Sequence, residues 1–206
     1  MAAINLKLLL SCFVAFFALV NPIQKVFVIN TLQKQFDEKS TKTIAYRSSF
    51  TATIILLFFL LVGQIVFNYV FHIQLYAFQI TCGVVLFYNG ITGLQNGVFI
   101  KLDKDQSIKN IIAVPVAIPM IAGPATITAA VTFPAHYGHW VTIISILISL
   151  AVNLVFMIYA TVIGRWLNKL NLMNSLIRIF GLIVATIGVQ LVLNGVAGYV
   201  GTLISK

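Results

Sequence analysis

Long apolar stretches separated by short polar ones dominate the pattern along this chain. A helix needs about 20 predominantly apolar residues to cross the hydrocarbon core of a bilayer. Six stretches reach that length, at about Leu8 to Leu32, Thr43 to Val70, Leu75 to Phe99, Ile111 to Phe133, Trp140 to Trp166 and Leu176 to Val200. None alternates apolar and polar residues as a membrane β-strand does. The pattern therefore predicts an all-α integral membrane protein with six transmembrane helices. Two of the six are interrupted: Asn21-Pro22 breaks the first and Gly123-Pro124 breaks the fourth.

Composition removes the soluble alternatives. Of 206 residues, 60% are hydrophobic and 8% charged, against roughly 45–50% and 25% in soluble domains. With 13 Lys and Arg and 4 Asp and Glu, a soluble fold of this size could not cover its surface. Disorder, a secreted disulfide scaffold and nucleic-acid binding are excluded on the same ground. Cys12 and Cys82 sit in apolar runs, where cysteine behaves as a small hydrophobe, and no Cys/His cluster has metal-ligand spacing. Lys7 before an apolar run lacks the small-residue cleavage pattern of a signal peptide.

The net charge of +9 reads as topology. Lys34, Lys39, Lys42 and Arg47 follow the first segment, Lys101, Lys104 and Lys109 the third, and Arg165, Lys169 and Arg178 the fifth. The loops after segments two and four hold no Lys or Arg and instead carry or adjoin His72, His136 and His139. Basic residues mark cytoplasmic loops, so both termini are expected outside. Asp37, Glu38, Asp103 and Asp105 all fall in the basic loops, so no carboxylate is available inside the membrane for a proton relay.

The two halves of the chain match. Gly83, Leu86, Asn89, Gly90 and Gly93 of segment three recur 105 positions later as Gly188, Leu191, Asn194, Gly195 and Gly198 of segment six. The breaks at Asn21-Pro22 and Gly123-Pro124 are 102 positions apart. The expected organisation is one transmembrane domain over 1–206, with a first three-helix repeat at 1–100 and a second at 101–206. An odd number of helices per half inserts the second from the opposite face, giving the inverted repeat of many secondary transporters.

Proline inside a helix removes a backbone bond but is comfortable at the first position of a new one. Segments one and four thus read as pairs of half-helices, the second halves starting at Pro22 and Pro124. Their N-termini carry partial positive charge and suit a carboxylate. The unwound carbonyls before each break suit an ammonium or metal cation. One pocket could then hold a small zwitterion, with Asn21, Pro22, Ile23, Gln24, Gly123, Pro124, Ala125 and Thr126 as the candidate binding residues. Lys25 lies one turn past the first break. Its ammonium either snorkels to the cytoplasmic interface or faces the site, where a fixed charge would bind the carboxylate and replace a coupling cation. Gln79, Thr81, Asn89, Asn153, Gln190 and Asn194 are the other polar residues at membrane depth, where they are expected to hydrogen-bond between helices.

Three runs carry a family resemblance: Phe17-Ala18-Leu19-Val20-Asn21-Pro22-Ile23, Gln79-Ile80-Thr81-Cys82-Gly83-Val84-Val85-Leu86-Phe87, and Ala113-Val114-Pro115-Val116-Ala117-Ile118-Pro119-Met120-Ile121-Ala122-Gly123-Pro124-Ala125-Thr126-Ile127. Over nearly its whole length the chain resembles the MarC family of bacterial and archaeal inner-membrane proteins. The resemblance implies six membrane helices, transport of small neutral amino acids in some members, and a substrate position at the two breaks. Two positions depart from the family's usual pattern. Gln79-Ile80-Thr81-Cys82-Gly83 stands where Arg-Ile-Ala-Gly-Gly is usual, and Lys25 stands where a small or neutral residue is usual.

The expected function is a secondary transporter of small neutral amino acids such as glycine or alanine, working by alternating access in the plasma membrane of a prokaryote. No catalytic set, metal or cofactor is expected; a coupling ion, Na+ or H+, and a homo-oligomer are compatible with the pattern. The alternatives are an efflux protein for drugs or other small solutes and a non-transport structural membrane protein. Glycine-tight packing speaks against the large apolar cavity of a drug pump.

Overall fold

The computed structural model describes residues 6–33, 36–70, 72–96, 121–169 and 173–204. Every regular element among these residues is helical. In chain order they are α1 (Leu6–Val20), α2 (Pro22–Leu32), α3 (Glu38–Ile65) with a π-helical turn at Val66–Val70, α4 (Leu75–Asn96), α5 (Pro124–Tyr137), α6 (His139–Ile158), α7 (Ala160–Lys169) and α8 (Met173–Ile204). Five stretches are long and apolar enough to cross a membrane: Leu6–Leu32 taken through its break, Glu38–Ile65, Leu75–Gln95, His139–Ile158 and Arg178–Ile204. The first half of the expected fourth segment, residues 111–120, lies outside the described residues. At 14 residues, α5 is about 21 Å long, short of the roughly 30 Å hydrocarbon core.

Two boundaries differ from the sequence pattern. The second helix begins at Glu38 rather than near Thr43 because Asp37 caps it. The Asp37 carboxylate accepts the Ser40 N–H at 3.4 Å, and its carbonyl accepts the Thr41 N–H at 3.0 Å and the Thr41 hydroxyl at 2.9 Å. Glu38 and Lys42 then pair at 2.7 Å across one turn. The fifth segment does not run on to Trp166. Tyr159, at φ −90° and ψ 10°, ends α6, and α7 follows as a short helix carrying Arg165 and Lys169. Backbone bonds continue through the join, from Tyr159 N–H to Val155 and from the Val162 and Ile163 N–H groups to Tyr159.

On α3 the exposed face is large and apolar and the buried face is mostly small, with two serines, an arrangement a lipid solvent permits. The exposed face reads Phe50, Ile54, Phe58, Leu61 and Ile65, and the buried one Ala45, Ser48, Ser49, Ala52 and Leu56. Between helices in lipid the hydrophobic effect supplies little, and close packing with interhelical hydrogen bonds takes over.

The chain divides into two compact units, residues 1–60 with 100–173, and residues 61–99 with 174–206. In the first unit, α1 and α6 run parallel. The Ser145 hydroxyl donates to the Leu9 carbonyl at 3.5 Å and Ser149 to Phe13 at 3.3 Å, a step of four residues in both helices. Alongside them α2 follows α7: Asn30 Nδ2 donates to the Ala160 carbonyl at 3.0 Å and Gln33 Nε2 to the Thr161 hydroxyl at 2.6 Å. The α5 helix runs antiparallel to α1, with the Phe16 and Phe133 rings 5.2 Å apart and the Ser11 and Tyr137 hydroxyls 3.4 Å apart.

In the second unit, α4 and α8 pack antiparallel on glycine. A Cβ on Gly83 would lie 2.6 Å from the Gly188 carbonyl oxygen, and one on Gly188 would lie 2.6 Å from that of Gly83. Gly90 abuts Gly181 and Ala185, while Gly195 abuts Tyr76 and Ile80. Each contact becomes its partner when 105 positions are added or subtracted, the reciprocity that a local two-fold axis between the helices produces.

Candidate functional site

The first break is built by Asn21. Its backbone lies at φ 50° and ψ 71°, in the left-handed region that asparagine tolerates better than most residues. Its N–H still closes α1 on the Phe17 carbonyl at 3.0 Å. Its Oδ1 accepts the Gln24 N–H at 3.3 Å, and Pro22 occupies the first position of α2. In an unbroken helix the Gln24 N–H would bond Val20; drawn to Asn21 instead, it leaves the Val20 carbonyl open. The Lys25 ammonium turns back and donates to that carbonyl, with Gln24 Oε1 at 3.5 Å as a second acceptor. Lys25 is 1% exposed. Of the two placements open from the sequence, its side chain takes the one that faces the break.

The second break has a different chemistry. Gly123 is extended (φ −79°, ψ 170°), Pro124 opens α5, and no side chain caps the new helix. The Thr126 hydroxyl lies 2.9 Å from the carbonyls of both Ile121 and Gly123, and the Ile127 N–H bonds Gly123 at 2.9 Å. Among the described residues, no side chain caps the start of α5. Asn21, Pro22, Gly123, Ala125 and Thr126 are buried, while Ile23, Gln24 and Pro124 are half-buried. Val20, Val26, Ile121 and Ala122 belong to one buried apolar cluster.

A third element lines this region. Thr142, Ser145, Ser149 and Asn153 of α6 are all fully buried. Repeating the step set by Ser145 on Leu9 and Ser149 on Phe13 pairs Asn153 with Phe17, and Phe17 and Phe156 rings meet at 6.5 Å. Four residues further, Met157 comes level with Asn21. Asn153 Nδ2 reaches Met157 Sδ at 3.4 Å, as does the Ser49 hydroxyl of α3 at 3.9 Å. Asn153 Oδ1 is buried without a partner. The four-residue spacing of Ser145, Ser149 and Asn153 was the sequence signal for this wall. It passes unnoticed when polar membrane residues are taken singly.

Donors of the chain itself engage some of the carbonyls at the breaks: Lys25 that of Val20, and the Thr126 hydroxyl lies between those of Ile121 and Gly123. Beside them stand a buried Lys25 and, among the described residues, a helix start with no side-chain cap. Asp37 and Glu38 lie at the beginning of α3 and do not reach this depth; Asp37 is held below the usual carboxylate range by a hydrogen bond from Ser40.

Comparison with known proteins adds the lineage. The sequence pattern of the family described as "MarC family integral membrane protein" matches residues 6–200. A UPF0056 membrane protein of Pyrococcus horikoshii is 35% identical, the match covering 97% of this chain and 98% of that one. The UPF0056 membrane protein YvbG of Bacillus subtilis is 30% identical over 94% and 96%, and one from Methanocaldococcus jannaschii 28% identical over 94% and 98%. No solved structure gives a significant match.

Proposed function

The chain belongs to the MarC family of integral membrane proteins, and on that premise we propose that it is a secondary transporter of a small zwitterionic solute, an amino acid of glycine or alanine size. The relatives' names state membrane residence and no activity, so the reading rests on geometry. The observation that carries it is the Lys25 ammonium, buried at a helix break with no carboxylate paired to it among the described residues. A buried charge without a counter-charge is costly; the carboxylate of a solute supplies that counter-charge and is drawn further by the uncapped N-terminus of α5.

The same residues set the size limit. Gly123, Ala125 and Thr126 are small and buried, which suits a solute whose side chain is hydrogen or methyl. Lys25 acts as a tethered cation in place of a coupling ion. The breaks are buried, so loading and release require alternating exposure, which we assign to rocking of two inverted three-helix repeats, 1–100 and 101–206, about the breaks. The equivalent positions of the two breaks and the reciprocal contacts of α4 and α8 support that arrangement. We place the protein in the plasma membrane of a prokaryote with both termini outside.

The test is counterflow of radiolabelled glycine and alanine in proteoliposomes. Accumulation above that of empty vesicles, abolished by Lys25→Met, is expected. Counterflow equal to that of empty vesicles for all small neutral amino acids overturns the reading.

A further inference from the structure

An α-amino acid needs acceptors for its ammonium as well as donors for its carboxylate. At the breaks Lys25 already donates to the Val20 carbonyl, and the Thr126 hydroxyl, with one proton to give, lies 2.9 Å from those of Ile121 and Gly123. Among the described residues, the buried side-chain polar atom without a partner is an acceptor, Asn153 Oδ1. A buried acceptor left unpaired is unfavourable in the resting protein, and an arriving donor reverses that. Asn153 is fully buried and lies about one turn from the depth of Asn21, by its register with Phe17. Its Nδ2 is held by Met157, one turn further along α6, which leaves Oδ1 as the unpaired end of the amide.

We propose that Asn153 is a ligand-binding residue of this protein, its Oδ1 accepting a hydrogen bond from the ammonium of the zwitterion whose carboxylate lies at Lys25 and the start of α5. The assignment rests on the transport reading above and adds what that reading lacks, the group that tells an amino acid from a simple carboxylic acid. Ser49, on the other side of Met157, closes the same polar wall from α3.

The experiment compares glycine with acetate, which has the carboxylate and no amine. Full-length protein in detergent is titrated with each, and half-saturation is read from the thermal shift. Wild type is expected to take glycine roughly tenfold or more tightly than acetate, the worth of one charge-assisted hydrogen bond. In Asn153→Leu, glycine binding is expected to fall to the acetate level while acetate binding stays unchanged. The unliganded protein should melt no lower, because an unpaired acceptor has been removed. Asn153→Ala serves as the second variant and is expected to lose the same discrimination. An unchanged glycine-to-acetate ratio in either variant overturns the assignment, and so does an equal loss of both ligands, which marks a structural role. Wild type that binds acetate as tightly as glycine overturns the Asn153 assignment and leaves the carboxylate site standing. Wild type that binds neither overturns both readings.

Discussion

Lys25 concentrates the physics of this protein in one side chain. A lysine at the centre of a membrane helix costs about 2.5–3.5 kcal/mol by insertion measurements, and here the charge is turned inward onto the Val20 carbonyl. Lys25→Met is expected to leave the melting temperature of the empty protein unchanged or raised, while removing the stabilisation that glycine confers. A lysine serving only as a backbone cap would give the reverse, a lower melting temperature and an intact ligand shift. Thr126 is the structural counterpart at the second break. Thr126→Val removes the hydroxyl donor that lies between the buried Ile121 and Gly123 carbonyls and is expected to destabilise by about 1–3 kcal/mol in denaturant unfolding, whereas Thr126→Ser keeps the donor and most of the stability. The Asp37 cap has a pH signature. Its folded-state pKa lies below the ordinary value, so its contribution to stability is present above that value and is lost as pH falls through it. Wild type should therefore lose its melting-temperature advantage over Asp37→Asn in strongly acid buffer.

At the scale of elements, the tightest demand falls on the glycine contact between α4 and α8. A methyl group at Gly90 would sit 2.3 Å from the Ala185 nitrogen, while at Gly201 it would meet nothing within 4 Å. Gly90→Ala is expected to cost about 1–3 kcal/mol through overpacking, and Gly201→Ala to be neutral or to gain up to about 1 kcal/mol from helix propensity. Thermal unfolding of the pair checks both. Elements also show where sequence reading succeeds. The breaks at Pro22 and Pro124 were legible because proline cannot continue a helix from the preceding turn. The break at Tyr159 was not, since no glycine or proline marks it and backbone bonds run through it. The early start of α3 was hidden because a hydropathy pattern registers the charges of Glu38 and Lys42 as loop, while the Asp37 cap and their mutual pairing make them helix.

At the scale of the molecule, membrane residence follows from composition, because 8% charged residues cannot clothe a soluble surface, and helical class follows from apolar stretches that lack strand alternation. The site was legible only in outline. Sequence places the broken helices but does not reveal that Lys25 and Thr126 fold back onto the Val20, Ile121 and Gly123 carbonyls. The wall formed by Ser145, Ser149 and Asn153 was signalled by their four-residue spacing, but hydropathy does not encode that this stripe turns towards α1. Orientation in the bilayer is read from lysine and arginine bias and makes its own prediction. On a background without Cys12 and Cys82, Gly138→Cys should react with an impermeant maleimide added outside intact cells, and Glu38→Cys only after lysis. The opposite pattern overturns the assignment of both termini to the outside.

The most direct measurement is a structure of the protein with glycine bound. The account predicts the carboxylate within about 3 Å of Lys25 Nζ or of the Ala125 and Thr126 amides, between the two breaks. Glycine bound away from residues 20–25 and 121–126, with Lys25 still engaged only by Val20 and Gln24, would contradict it.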